Sequence, residues 1–176
     1  MSRIKIPTRD EAPVETHPAL DGFLKQLGFI PNLFLVIAQS PNTLNGILEL
    51  RKSLSKTLDS KLRARIALAV SQVNECEYCL AAHTYVSKHF QKLPAEEVAL
   101  NRAGHSSDPK ADAAVHFAKS VTETRGKVTD EELAAIRRAG FTDAQIIEIV
   151  ASAVQFLFTN FINNVAETDV DFAVAK

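Results

Sequence analysis

The chain has 176 residues, 46% of them hydrophobic, 7% aromatic and 23% charged, with 20 basic side chains against 21 acidic ones. That length suffices to bury most of the unfolded surface in one core, and the composition excludes disorder and collagen-like structure. The net charge of -1, with Lys and Arg scattered singly or paired as in Arg51-Lys52 and Arg137-Arg138, excludes nucleic acid as a partner, because phosphate binding needs a clustered cationic surface.

In chain order the signals are helical throughout, so an all-α, multi-helix bundle is expected, with nothing to mark a domain boundary within 1–176. Residues 1–16 read as an extended arm without the apolar core of a secretory signal, and the expected location is the cytoplasm. Pro18, at a position where its fixed φ is harmless, opens a helix that Gly28 ends, and Pro31 opens an apolar segment from Asn32 to Gln39. Ser40 caps a helix from Pro41 with Leu44, Ile47 and Leu48 on one face. Asp59 or Ser60 starts the next, where Leu62, Ile66, Ala69, Val70 and Val73 recur at helical spacing until about Asn74. A further helix begins at Cys76 and runs to about Gln91.

The second half repeats the pattern. Pro94 opens a short helix closing at Gly104, and Asp108-Pro109 starts one ending at Gly126. Thr129 with Glu132, and Thr142 with Gln145, are capping boxes, in which side chain and backbone satisfy each other's orphan donors. Gly140 closes the first of these two helices; the last runs over about 143–166. It is apolar on most sides between Ile146 and Ile162, which fits a core element or a subunit interface, while Glu148, Ser152, Gln155, Thr159 and Asn160 break it too often for a bilayer span. Glu96 to Gly104 and Glu132 to Gly140 share Glu, Ala, Arg, Ala and Gly in register, a hint of duplicated hairpins. Asn160, Asn163 and Asn164 read as C-terminal capping residues.

The chemistry concentrates in Cys76-Glu77-Tyr78-Cys79, which holds the only cysteines. A disulfide across so small a loop contributes little stability and does not persist as structure in a reducing compartment. A structural zinc needs four ligands, and no second Cys-x-x-Cys exists; His83, His89, His105 and His116 lack finger spacing. Redox exchange is therefore the leading reading, ahead of incidental buried thiols and metal. A helix starting near Glu75 places both thiols in its first turns, where free N–H groups and the helix dipole favour the thiolate. Cys76, Cys79 and His83, spaced i, i+3 and i+7, share one face, which sets a nucleophile, a resolving thiol and a base on one helix. Glu75 and Glu77 oppose thiol ionisation unless they point to water. A histidine in an amphipathic helix is otherwise a packing residue; His89 and His116, which lack such a partner, read as surface or packing residues, and Tyr78 reads as packing.

The segment from Ile66 through Cys76, Cys79 and His83 to Thr84 resembles the core motif of the alkyl hydroperoxidase D and carboxymuconolactone decarboxylase superfamily, whose redox members carry Cys-x-x-Cys followed four residues later by His. The stretches Gly28 to Phe34, Ser40 to Asn42, Phe158 to Ala166 and Asp169 to Phe172 resemble the flanks of its peroxidase-related branch. The resemblance implies an all-α fold with the Cys-x-x-Cys at the N-terminus of a central helix. It also implies a thiol peroxidase of antioxidant defence, without cofactor or metal, that reduces alkyl hydroperoxides or hydrogen peroxide. By this carry-over Cys79 attacks, Cys76 resolves the sulfenic acid to a disulfide and His83 moves the proton. A lipoyl-bearing or thioredoxin-like protein then reduces the disulfide, and the chain forms a homo-oligomer, a trimer or hexamer.

The sequence departs from that pattern twice. The relay Glu twelve positions before the first Cys is Ala64, flanked by Arg63 and Arg65, and the second His between the cysteines is Tyr78. Glu148, the acid embedded in the last helix, is the candidate substitute relay. The same cysteines also suit a non-peroxidatic thiol–disulfide oxidoreductase or redox sensor, which needs a tuned thiolate more than a relay. Lactone decarboxylation, which needs no paired thiols, ranks last.

Overall fold

The structure, a computed structural model, describes residues 2–172, and among them are nine α-helices and no strand. They are α1 (His17–Leu27), α2 (Asn32–Ala38), α3 (Pro41–Leu54), α4 (Ser60–Val73), α5 (Glu77–His89), α6 (Ala95–Ala103), α7 (Pro109–Glu123), α8 (Asp130–Arg138) and α9 (Asp143–Ala166). Side chains fix several starts: Asp59 accepts from the Leu62 amide and Asp108 from the Ala111 amide, and both capping boxes form as the sequence predicts. Gly28 closes α1 at φ 83°, a left-handed turn that a Cβ would strain.

The arm before α1 is pinned rather than free. The Arg3 amide donates to the Ala166 carbonyl, the Gln39 side chain donates to the Lys5 carbonyl, and a 3-10 turn at Val14–Thr16 leads into α1.

α4 is the axis of the fold. Ile66 to Val70 are all fully buried, and α5, α6, α7 and α9 pack around them, with Ala67 and Ala69 letting neighbours approach closely. One apolar cluster joins α4, α7, α8 and α9 through Ile66, Val70, Phe117, Ile136, Ile149 and Phe156. A second joins α1, α2, α3 and α5 through Leu20, Ile37, Leu44, Tyr78 and both cysteines. Both thiols thus belong to the second half-core.

α9 divides the roles expected of it. Its length and its mean hydropathy of 1.5 would let it cross a membrane, yet its inner face is packed against α2, α3, α4, α5 and α7. That face carries Ser152, Gln155, Thr159, Asn160 and Asn163, all buried, so the polar residues interrupting its apolar run point into the protein. The outer face exposes Ile147, Val154, Phe158, Phe161 and Val165. The paired segments in α6 and α8 both end at a left-handed glycine, Gly104 and Gly140, but α6 packs on α4 and α5 whereas α8 packs on α7.

Candidate active site

The chain enters α5 through a strained turn. Asn74 ends α4, Glu75 adopts φ 50°, and Cys76 is the N-cap of α5, its sulfur accepting from the Cys79 amide at 3.3 Å. A non-glycine residue in the left-handed region costs on the order of 1 kcal/mol and persists only when its surroundings hold it. Here the hold comes from α9. The Asn74 amide donates to the Asn160 side chain at 3.0 Å, and the Asn164 amide donates to the Asn74 carbonyl at 2.8 Å. Glu75 therefore lies outside the helix instead of starting it, and both Glu75 and Glu77 point to water.

Cys76 and Cys79 are free thiols, buried to 0% and 2% exposure. They titrate in opposite directions. The Cys76 side chain hydrogen-bonds to Cys79 and lowers its pKa; burial opposes this, and Asn163 and Asn160 assist it. Cys76 is correspondingly pushed up, first by that same hydrogen bond and then by burial. The Asn163 Nδ2 donates to the Cys79 sulfur at 3.2 Å, and the Asn160 Nδ2 donates to the Ser71 hydroxyl at 3.2 Å. Asn160, Asn163 and Asn164 are therefore not C-terminal caps: α9 continues to Ala166, and Glu167 ends it. The signal for their role was present in the polar positions 152, 155, 159 and 163, whose spacing of three and four marks a buried stripe on an otherwise apolar helix.

Cys79, but not Cys76, lines a cavity of about 330 Å³. His83, one turn further along α5, lines it too, with its ring edge-on to Phe156 at 5.2 Å. Burial and then the Arg51 charge hold the imidazole down to a pKa of about 4, so His83 is neutral near pH 7 and able to accept a proton. Tyr78 also borders the cavity. Its hydroxyl accepts from the Leu33 amide at 3.1 Å and so fastens α2 to α5, and burial keeps the phenol protonated. His89 and His116 are exposed. No group of three or more His, Cys, Asp or Glu among the described residues could hold a metal.

Ala64 borders the cavity where the resemblance leads one to look for a relay carboxylate, and no Asp or Glu among the described residues lines it. Glu148 is not brought to the site. It lies fifteen residues before Asn163 on the same helix, roughly 22 Å along the axis at 1.5 Å per residue. The uncharged Gln155 and Thr159 occupy the wall instead.

A sequence profile of the carboxymuconolactone decarboxylase family matches residues 41–120, which hold α3 to most of α7 with both cysteines and His83. A crystal structure of a peroxidase-related protein with an alkylhydroperoxidase AhpD core from Ralstonia eutropha JMP134 superposes with a TM-score of 0.85 at 27% identity, covering 97% of this chain and 92% of that one. The matched segment and the overall fold are similar to those of the alkyl hydroperoxidase D and carboxymuconolactone decarboxylase superfamily, and the solved peroxidase-related structures support that branch. A second peroxidase-related protein, from Silicibacter sp. TM1040, has a TM-score of 0.82 at 24% identity over 96% of this chain and 91% of that one. A cysteine-to-alanine variant of the debrominase Bmp8 in complex with 2,3,4-tribromopyrrole shares the fold at a TM-score of 0.81 and 20% identity, over 97% and 92%. No curated protein matches. Members of the superfamily are enzymes, and this chain shares their all-helical fold.

The Asn163 contact carries the first expected result. A hydrogen bond to an ionised group contributes about 1.5–3 kcal/mol, so Asn163→Leu is expected to raise the Cys79 pKa by one to two units. The Asn163 Oδ1 is buried without a partner, so the same substitution leaves stability nearly unchanged. The check is the pH dependence of Cys79 alkylation in the two proteins. Wild type should show a single limb below the ordinary thiol value of 9.0, with no inflection near 6.5, because His83 stays neutral through that range.

Proposed function

We propose that the protein is a thiol-dependent peroxidase of antioxidant defence that reduces hydroperoxides through Cys79 and Cys76. The observation that carries this reading is that the more acidic thiol of the pair is the one facing the cavity. The Cys79 thiolate attacks the terminal peroxide oxygen, an S–O bond forms, the O–O bond breaks, and the alkoxide leaves as alcohol after taking a proton. His83, neutral and one turn away, is the group that accepts the thiol proton and passes it on, with water in place of a carboxylate relay. Cys76 then attacks the sulfenic sulfur, an S–S bond forms and water leaves.

The burial of both thiols separates this reading from the runner-up. A folded protein disulfide cannot reach a sulfur with 2% exposure, whereas a small peroxide entering the cavity can. The same constraint selects the reductant: a slender lipoyl arm fits the opening better than the broad face of a thioredoxin-like protein. Free cysteines in the site suit the reducing cytoplasm. The exposed ridge Ile147, Val154, Phe158, Phe161 and Val165 on α9 is the surface on which copies of this chain would associate as a homo-oligomer, a trimer or hexamer.

Turnover tests the assignment. Protein supplied with dihydrolipoamide should consume tert-butyl hydroperoxide catalytically, in excess over the protein. Consumption no faster than by the dithiol alone would contradict it.

A further inference from the structure

Two arginines in the cavity wall form no ion pair among the described residues. Arg51 from α3 and Arg63 from α4 both line the space into which Cys79 and His83 open. Of the other seven arginines, five meet carboxylates: Arg3 with Glu167, Arg9 with Asp21, Arg65 with Glu97, Arg137 with Asp143 and Arg138 with Glu131. The Arg63 Nε is buried with no hydrogen-bond partner at all, which costs about 1–3 kcal/mol for a polar group and more for a charged one. Asp59 acts on Arg63 through its charge without pairing with it, and its carboxylate accepts from the Leu62 amide. Arg51 and Arg63 also repel each other, and a guanidinium cannot escape that cost by losing its proton. The remaining wall is largely apolar, with Phe34, Ile47, Leu48, Val86, Phe90 and Phe156.

We infer that the cavity above Cys79 binds an apolar carboxylate, its charged end held between Arg51 and Arg63 and its hydrocarbon body lying along the aromatic and aliphatic wall. A carboxylate offers two oxygens to the planar fork of each guanidinium and relieves the repulsion between them. The volume of about 330 Å³ admits a medium-length hydrocarbon chain and lies at the lower end of small-molecule sites. Resting on the peroxidase reading, the preferred substrates are hydroperoxides of carboxylic acids, such as fatty acids, over neutral hydroperoxides of equal size.

Binding and chemistry are tested separately. Calorimetry with octanoate and methyl octanoate on the reduced protein is expected to show octanoate binding at least tenfold more tightly. Arg51→Gln and Arg63→Gln should each weaken octanoate tenfold or more without changing the ester, and Arg63→Lys should fall between. Equal affinity for acid and ester, no binding of either, or octanoate affinity unaltered in folded variants would overturn the inference, and the wild-type comparison decides even if a variant does not fold. Oxidation of Cys79 by linoleic acid hydroperoxide should outpace that by its methyl ester by the same factor. Octanoate binding with no oxidation by any peroxide would leave the anion site standing and remove the peroxidase reading.

Discussion

Cys79→Ser should lower peroxide turnover by at least ~10³-fold, equivalent to about 4 kcal/mol of lost transition-state stabilisation, while Cys76→Ser should leave the first oxidation intact and stop there. The asymmetry follows from the environment of each sulfur. Cys79 lines the cavity and is acidified by the Cys76 side chain and Asn163, whereas Cys76 lies behind it, fully buried and pushed up in pKa. A serine hydroxyl has no comparable anion available at neutral pH, so the attack itself is lost. In Cys76→Ser the hydroxyl still donates toward Cys79, so one equivalent of peroxide is consumed and a sulfenic acid accumulates, which dimedone traps. The reverse pattern, with Cys76→Ser inert and Cys79→Ser reactive, would exchange the two roles.

The second large effect concerns stability. The Glu97 side chain is 3% exposed and is the hub that ties α6 to α4 and to the loop before α7. Its carboxylate accepts from Arg65 Nε at 2.9 Å, from Asn101 at 2.9 Å, from the Ser106 hydroxyl at 2.6 Å, and from the Ser107 amide and hydroxyl at 3.0 and 2.6 Å. Burial alone would raise its pKa, but these hydrogen bonds outweigh burial and hold it at about 2 against an ordinary 4.5. A depressed carboxylate stabilises the folded state fully above the unfolded value and loses that contribution as the pH falls from 4.5 toward 2. The shift corresponds to about 3 kcal/mol. Glu97→Leu, which leaves the Arg65 charge without its partner, should cost about 3–5 kcal/mol in urea denaturation and flatten the loss of stability between pH 4.5 and 2. Arg65→Met combined with Glu97→Leu should be less damaging than Glu97→Leu alone, since no unpaired charge remains. A cost below about 1 kcal/mol for Glu97→Leu would refute the hub.

Local chemistry made the helices legible. Prolines at first positions, Asp59, Asp108 and the two Thr capping boxes act within a few residues, so the starts of α3, α4, α7, α8 and α9 fall where the residues alone put them. Ends held by glycine, at Gly28 and Gly104, are equally local. The helix of the cysteines begins at Glu77, one residue after Cys76 and two after Glu75, the starts the sequence suggests, because Asn74, Asn160 and Asn164 hold Glu75 in a left-handed turn, and that support comes from a segment 86 to 90 positions away.

The site itself was legible only along one helix. Cys76, Cys79 and His83 announce themselves by spacing, but Asn163 reaches Cys79 from α9 across 84 positions, and no periodicity on α5 foretells it. Glu148 drew attention as an acid in an apolar helix, yet it stands at the far end of α9 from the thiols. Arg63 was visible only as a neighbour of Ala64. Its unpaired charge becomes apparent once the cavity brings it together with Arg51 from α3.

The most direct test of the central claim is the intact mass of fully reduced protein mixed with one equivalent of tert-butyl hydroperoxide and quenched with acid at successive times. The account predicts the loss of two hydrogens from a monomer, localised by peptide mapping to a Cys76–Cys79 disulfide, at a rate far above that of a free thiol in solution. Oxidation at the solution-thiol rate, or a disulfide forming between chains instead of within one, would contradict it.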